Sequence, residues 1–328
     1  MNKVKLIKEF NLFSKEAKIQ LTNQFSKGDK IAIKMHMGEK GNLHYLRPED
    51  VKPLIDVLKE LGTEPFIFDS IVLYPGGRDT VEKYIQTAKE HGYTGEKMGC
   101  PIVISNDYVE IKTKDMNFQV CKPLAEADGM LVLSHVKGHA CAGFGGAIKN
   151  LSMGGATTKS KADMHNGCKP VLEGDCTACG TCENLCPAKS CTIESGSFVN
   201  NENACWGCSI CIIKCPEKAL VPKVALFDDL LAQGAYATIK ASKKTFYINI
   251  IKNVSKYCDC HSGENPIVGK DIGILFSKDP VAIDNASVDL LNKAEEKDIF
   301  NKANNKDPKL QLKYSQDYEI GTLDYELT

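Results

Sequence analysis

The stretch "GMLVLSHVKGHACAGFGGAIKN", Gly129 to Asn150, decides how this 328-residue chain is read. It opens with an apolar, β-branched-rich run of the kind that forms a buried strand in a parallel sheet. The run ends in a glycine-rich turn. Gly143, Gly145 and Gly146 let backbone approach a ligand closely, and "GAIKNLSMG" then starts a short helix whose N-terminus attracts an anion. Lys149 lies three residues after the last glycine and no Ser or Thr follows it, so the turn is not a P-loop. A plain tight turn would look the same. The polar neighbours favour a site. His135 and His139 flank the strand exit and His165 follows, three of the seven histidines within 31 residues. Loops at the carboxyl ends of parallel strands are where α/β folds place ligands. Any one of these histidines could equally be a hydrogen-bonded structural residue.

Outward from this stretch the grammar is α/β. "KIAIKMHM" (30–37), "EPFIFDS" (64–70) and "PIVIS" (101–105) read as strands. "RPEDVKPLIDVLKELG" (47–62) and "RDTVEKYIQTAKEHG" (78–92) read as helices, each closed by glycine. Beyond residue 223 the alternation resumes. "VALFDDLLAQGAYATIKAS" is helical, "TFYINIIKN" and "DIGILF" are strands, and "DPVAIDNASVDLLNKA" is a helix with Asp279 as N-cap before Pro280. Strands alternating with helices predict a mainly parallel sheet. Residues 1–167 and 224–295 therefore read as one discontinuous α/β domain, and 296–328 as a polar, weakly patterned tail.

Residues 168–223 break the pattern and hold the internal repeat. "CTACGTCENLCP" (176–187) is followed twenty-nine residues later by "CWGCSICIIKCP" (205–216), in register. Each run has the C-x2-C-x2-C-x3-C spacing of bacterial [4Fe–4S] proteins, in which the fourth cysteine ligates the other cluster. Cys176, Cys179, Cys182 and Cys215 are expected to hold one cluster, and Cys205, Cys208, Cys211 and Cys186 the second. Zinc usually takes two separated pairs of ligands, which two in-register quartets fit poorly. Cys191 has Leu220 as its repeat equivalent, so it is expected to pack rather than ligate.

Bulk properties narrow the classes. The length suits about two domains at roughly 150 residues each. Lys+Arg 41 against Asp+Glu 42 gives a net charge of −1, which recommends neither nucleic acid nor an anionic membrane as partner. No apolar run nears the ~18 residues of a membrane helix. "MNKVKLIKEFNLF" is a poor signal peptide, and a cytoplasmic chain is expected. Fifteen cysteines, an odd number, favour reduced thiolates held for metal over disulfides. One further cluster stands apart. In "YCDCHSGE" (257–264), Cys258 and Cys260 point the same way on an extended chain. With His261 they could bind a metal, borrowing His139 or His165, or present reactive thiolates; two loop cysteines without a role is the alternative.

Three resemblances attach to these residues. The cysteine segment resembles the two-cluster bacterial ferredoxins. Nearly the whole chain resembles the domain-of-unknown-function 362 family in its form with a ferredoxin insert, through "KGHACAGFGGAIKN", the double cysteine run, "CDCH" and "DIGILFSKDPVAID". "HACAGFGGAIK" is similar to the H-x-x-A-G-[FY]-S-G-G-x-K stretch of the lactate racemase family, whose members carry a nickel-pincer cofactor. That resemblance implies a cofactor bond at Lys149 and a metal ligand at His165. Here Gly145 replaces the Ser and Ala147 the second Gly. "FDSIVLYPGGRD" (68–79) also lacks the family's further catalytic histidine, so proton abstraction by a histidine pair is not implied. The expectation is an α/β, mainly parallel domain interrupted by an α+β two-cluster ferredoxin-like domain. Its two [4Fe–4S] clusters would serve a small anionic ligand, cofactor or additional metal at Lys149, His139, His165, Cys258 and Cys260. The alternative is an electron-delivery or maturation protein that uses the α/β domain to dock a redox partner protein.

Overall fold

In the computed structural model, which describes residues 2–328, an eight-stranded sheet organises the chain. Its strands are β1 (Asn2–Ile7), β2 (Lys30–Lys34), β3 (Glu64–Asp69), β4 (Ile102–Ile104), β5 (Gly129–His135), β6 (Thr245–Ile251), β7 (Gly273–Ser277) and β8 (Tyr325–Leu327). They lie in the order β8-β1-β7-β6-β5-β2-β3-β4. From β6 to β4 every pairing is parallel, and β7 runs against both its neighbours. The chain winds outward through β2, β3 and β4, then returns to wind the other way through β5 and β6. Its direction switches between β2 and β5, where a crevice opens at the carboxyl ends of the strands.

Side-chain alternation builds a core on each face. Ile31, Ile33, Leu131 and Leu133 meet Leu54, Leu58 and Tyr84 of the helices Pro48–Glu60 and Val81–Glu90. Ala32, Met130 and Val132 point the other way. They meet Ile148, Leu151, Ala235 and Ile283 of the helices Ala147–Gly155, Phe227–Ala241 and Pro280–Glu295. As the sequence suggested, Asp279 caps the last of these, accepting from Val281 N and Ala282 N at 2.8 Å.

The cysteine-rich segment leaves and rejoins the α/β body through a clasp, with Pro170–Leu172 antiparallel to Leu220–Pro222. Between them lie the short helices Thr181–Leu185 and Ile210–Ile213 and the hairpin Cys191–Glu194/Ser197–Asn200. Cys191 and Leu220 are buried together with Phe198. The repeat extends to the backbone. Left-handed residues at Ala178, Gly180 and Lys189 recur at Gly207, Ser209 and Lys218, each 29 positions on.

Residues 296–328, read from sequence as a polar tail, are instead part of the body. The helix Leu310–Asp317 packs on Phe227–Ala241, and β8 pairs with β1. Three of its polar residues, Asn304, Lys306 and Gln311, are buried, and each donates hydrogen bonds. Gln311 Nε2 donates to the carbonyls of Ala142 and Phe144, both at 3.1 Å, and Asn304 Nδ2 donates to that of Gly143 at 3.2 Å. Lys306 pairs with Asp228 and donates to Cys208 O at 2.8 Å. A polar pattern here marks backbone of the glycine-rich loop that needs partners, not exposure. Among the described residues no helix is long and apolar enough to cross a membrane.

Phe300 is fully buried and its ring centroid lies 5.7 Å from that of Phe144, inside the glycine-rich loop. Phe300→Ala should cost about 3–5 kcal/mol of unfolding free energy. Urea denaturation checks this; a loss under about 1 kcal/mol would mean that the terminal segment is only loosely attached.

Candidate functional site

The crevice between β2 and β5 opens into a cleft. Lys34 and Asp69 reach it from the ends of β2 and β3, with His36 and Arg78 just beyond them. His135, Lys137 and His139 follow β5; Lys149 and Asn150 come from the helix Ala147–Gly155; Lys161 and His165 come from the helix Thr158–Gly167; Cys258 and Cys260 come from the loop after β6. Asn150 ties its helix across the crevice. Its amide donates to Leu133 O at 3.0 Å and Ser134 Oγ at 3.1 Å, and its Oδ1 accepts from Lys34 Nζ at 2.7 Å. Lys149, His139, His165, Cys258 and Cys260 thus line one wall system, and Lys149 Nζ lies 3.7 Å from Cys258 Sγ.

The helix N-terminus does hold an anion, but one the protein supplies. Asp284 accepts from Ala147 N at 2.7 Å and Ile148 N at 2.9 Å. Burial raises the Asp284 carboxyl to about 6, against these hydrogen bonds. A Cβ on Gly146 would stand 2.3 Å from Asp284 Oδ1, so glycine is required for this cap. Of the three expected ligand glycines, only Gly146 lines the cleft. Gly143, at φ +76°, instead lets the loop pass Pro308 and the Lys306 carbonyl, which a Cβ would meet at 2.8 Å. A Cβ on Gly145 would meet Lys137 and Lys149 only at 3.7 and 3.9 Å, ordinary contact distances, so space does not demand glycine there.

The cleft is positive. Lys34 pairs with Asp69 at 2.9 Å, Arg78 with Glu39 at 2.9 Å, and Lys137 with Asp259 at 3.2 Å. Burial opposes the charge on Asp259, but His135 and Lys137 outweigh it and hold the carboxyl well below its usual range. Among the described residues no carboxylate lies within 4.0 Å of Lys149 or Lys161. Burial and then the Lys137 and Arg78 charges bring Lys149 down to about 7. Burial brings Lys161, which donates to Ser70 Oγ at 2.7 Å, down to about 8. Lys34, His36, Arg78, Lys137 and Lys161 were not singled out from sequence. The available signal was a charged residue at the end of an apolar parallel strand, as at Lys34.

Hydrogen bonds set the ring chemistry. The amides of Cys141 and Ala142 both donate to His139 Nδ1 at 3.2 Å, which places the ring proton on Nε2. His165 Nδ1 donates to Trp206 O at 2.8 Å, leaving Nε2 with its lone pair. Burial keeps both rings below the ordinary histidine range. His139, Cys258 and Cys260 present donor atoms within 4.8 Å of one another, a spacing that a metal could use. The tautomer argues against it, because one nitrogen of His139 carries hydrogen and the other accepts two amides. The two sulfurs are joined as a disulfide, a state that the free-thiolate and metal readings of this pair did not include. His261 is not part of this group. It packs against Tyr257 and lines a neighbouring cavity.

The remaining cysteines separate into two sets. Cys176, Cys179, Cys182 and Cys215 line one small cavity. Cys186, Cys205, Cys208 and Cys211 line another, which also takes in Cys191 and Trp206. The second cavity adjoins the cleft through the His165–Trp206 hydrogen bond, and contact is so close there that a Cβ on Gly207 would lie 2.1 Å from His165 O.

Comparison with known proteins gives three findings. The family model described as "Domain of unknown function (DUF362)" matches residues 31–289. No curated protein matches the chain. Two solved structures are similar in outline. One is a Thermotoga maritima protein from the Northeast Structural Genomics Consortium, at 10% identity and TM-score 0.47 over 94% of this chain and 59% of that one. The other is the lactate racemase apoprotein from Thermoanaerobacterium thermosaccharolyticum, at 15% identity and TM-score 0.37 over 76% of this chain and 50% of that one. The chain thus spans 59% of the length of the first and half that of the second.

Lys149 carries its charge below about pH 7 and loses it above, whereas sulfate stays dianionic throughout. Sulfate affinity should therefore be highest below pH 7 and fall as pH rises to 9. Lys149→Gln should weaken binding roughly tenfold at pH 6, the worth of one charged hydrogen bond, and should leave only the shallower fall that Lys161 gives near pH 8. Calorimetric titration decides; a wild-type affinity that does not change between pH 6 and 9 contradicts the assignment.

Proposed function

The chain belongs to the family described as a domain of unknown function (DUF362), and from the geometry of its cleft we propose that it is an iron–sulfur redox protein. Two [4Fe–4S] clusters on residues 168–223 would serve a small anionic ligand or cofactor held in the α/β domain. The cysteines fit such groups. Each set of four surrounds its own cavity in the crossed arrangement that the spacing implies. The amides of Ala178 and Gly207 donate to Cys176 Sγ and Cys205 Sγ, each at 3.4 Å, and such donors tune the sulfurs of cluster sites. When bound, a cluster supplies one-electron transfer.

One observation carries the reading. The cavity of Cys186, Cys205, Cys208 and Cys211 meets the cleft across two hydrogen bonds, His165 Nδ1 to Trp206 O and Phe227 N to Ser209 Oγ. The cleft residues have roles that follow from their state. Lys149 and Lys161 are cations without a carboxylate and would hold the anion. His139 Nε2–H would donate to it, and His165 Nε2 would accept or return a proton. Leu133, Met153 and Phe227 would exclude water. This is an oxidoreductase acting on a small anion. A second reading, electron delivery to a partner protein, is favoured by Trp206, which is 48% exposed beside Cys205.

Protein reconstituted without oxygen should carry about eight iron and eight sulfide per chain; about two zinc with no visible absorption would sink the proposal. Lys149→Ala should leave those counts and the visible spectrum unchanged while weakening anion binding at least tenfold. Loss of both together would make Lys149 structural. If Trp206→Ala blocks reduction of a protein acceptor and anions have no effect on turnover, the delivery reading replaces the enzymatic one.

A further inference from the structure

The Cys258–Cys260 bond stands in a wall between two cavities. Both residues line the positive cleft. Cys260, with Tyr74, also lines a second and more open cavity that includes Gly77 and His261. We propose that Cys258–Cys260 is a redox-active dithiol–disulfide centre that exchanges two electrons with a small thiol entering from the outer cavity. Its purpose in the protein rests on the redox reading above; its chemistry does not.

Stability is a poor reason for this bond. A link across one intervening residue closes so small a loop that it removes little entropy from the unfolded chain. The two sulfurs are also unequal. Cys258 is buried, and its Sγ receives the Cys260 N–H at 3.2 Å and lies 3.7 Å from Lys149 Nζ. Cys260 is half-buried and reached from outside. The loop between them is fixed. Asp259 O accepts from Glu39 N at 2.9 Å, and the Asp259 carboxylate is held by His135 and Lys137. The pair therefore stays in register when the bond opens.

The exchange follows from that asymmetry. An incoming thiolate attacks Cys260 Sγ, the S–S bond breaks, and its electron pair leaves on Cys258 Sγ as a thiolate facing Lys149. A second thiol, deprotonated, attacks the incoming sulfur of the mixed disulfide and releases the Cys260 thiolate. The two thiolates take up two protons. In sum, one protein disulfide and two small thiols become one protein dithiol and one small disulfide. A better-stabilised leaving thiolate leaves faster, which makes Cys258 the leaving sulfur and Cys260 the one attacked.

The whole chain, kept free of oxygen, is equilibrated in glutathione buffers of graded reduced-to-oxidised ratio, acid-quenched and alkylated, and the peptide carrying both residues is weighed. Two alkyl groups should appear together in one two-electron transition. Cys258→Ser should trap glutathione on Cys260, and Cys260→Ser should acquire it on Cys258 at least tenfold more slowly. Lys149→Gln should slow exchange roughly tenfold and Lys149→Arg should restore it. A pair that stays wholly oxidised or wholly reduced across the buffers overturns the proposal, and so does equal trapping in the two serine variants. Stoichiometric zinc that blocks alkylation makes it a metal site instead. Iron and sulfide are counted on the same samples. A low count with the transition intact removes the cluster reading alone, and a full count with no transition removes this one alone.

Discussion

The architecture of the site hangs on one buried carboxylate. Asp284 comes from the helix Pro280–Glu295, accepts two amides of the helix Ala147–Gly155, and takes a third hydrogen bond from Asn249 Nδ2 of β6 at 2.7 Å. Two helices and a strand are thereby locked at one point, and Gly146 is compelled to be glycine. The lock sets the direction in which Lys149 leaves its helix. It also settles which positive charge remains for a ligand, because the helix dipole is already matched by an internal anion. An incoming anion must be met by side chains.

Those side chains are balanced in a particular way. Three cations of the cleft carry their own buried partners, in the pairs Lys34–Asp69, Arg78–Glu39 and Lys137–Asp259. Such pairs contribute little net stability, since desolvation offsets attraction, but losing one partner is costly. They act as a scaffold of fixed charge that leaves Lys149 and Lys161 as the groups with unmet demand. Burial and then these charges disfavour a proton on Lys149, so under the proposed function an anion bound there would bring a proton with it.

Much of this was legible from the chain. The parallel strands showed themselves because strands buried on both faces have no polar alternation to hide them, and the insert because its cysteine spacing repeats. The grouping of Lys149, His139 and His165 was expected from the resemblance of their stretch to the lactate racemase family, and that of the cysteine pair from its place after a strand. The rest was set by contacts distant in sequence. The anion at the helix end lies 137 residues from Ala147, and no local pattern announces it. The terminal segment looked like a solvated tail because Asn304, Lys306 and Gln311 are polar, yet each serves buried backbone or a buried charge far away. The tautomers of His139 and His165 depend on loop carbonyls and amides whose positions exist only in the folded chain.

The clasp at the base of the cysteine segment makes it a cassette. Pro170 and Pro222 face each other across a strand register, so the chain that departs and the chain that returns are already side by side. Closing a loop between adjacent ends depends only weakly on how much chain it contains. A cassette at this point can be lengthened, exchanged or removed with little strain on the sheet, whose strands meet through β5 and β6 without it. Its removal would leave other traces. His165 would lose its carbonyl acceptor on Trp206 and Lys306 its acceptor on Cys208. The sheet is indifferent to the cassette, while the wall of the cleft is built to receive it.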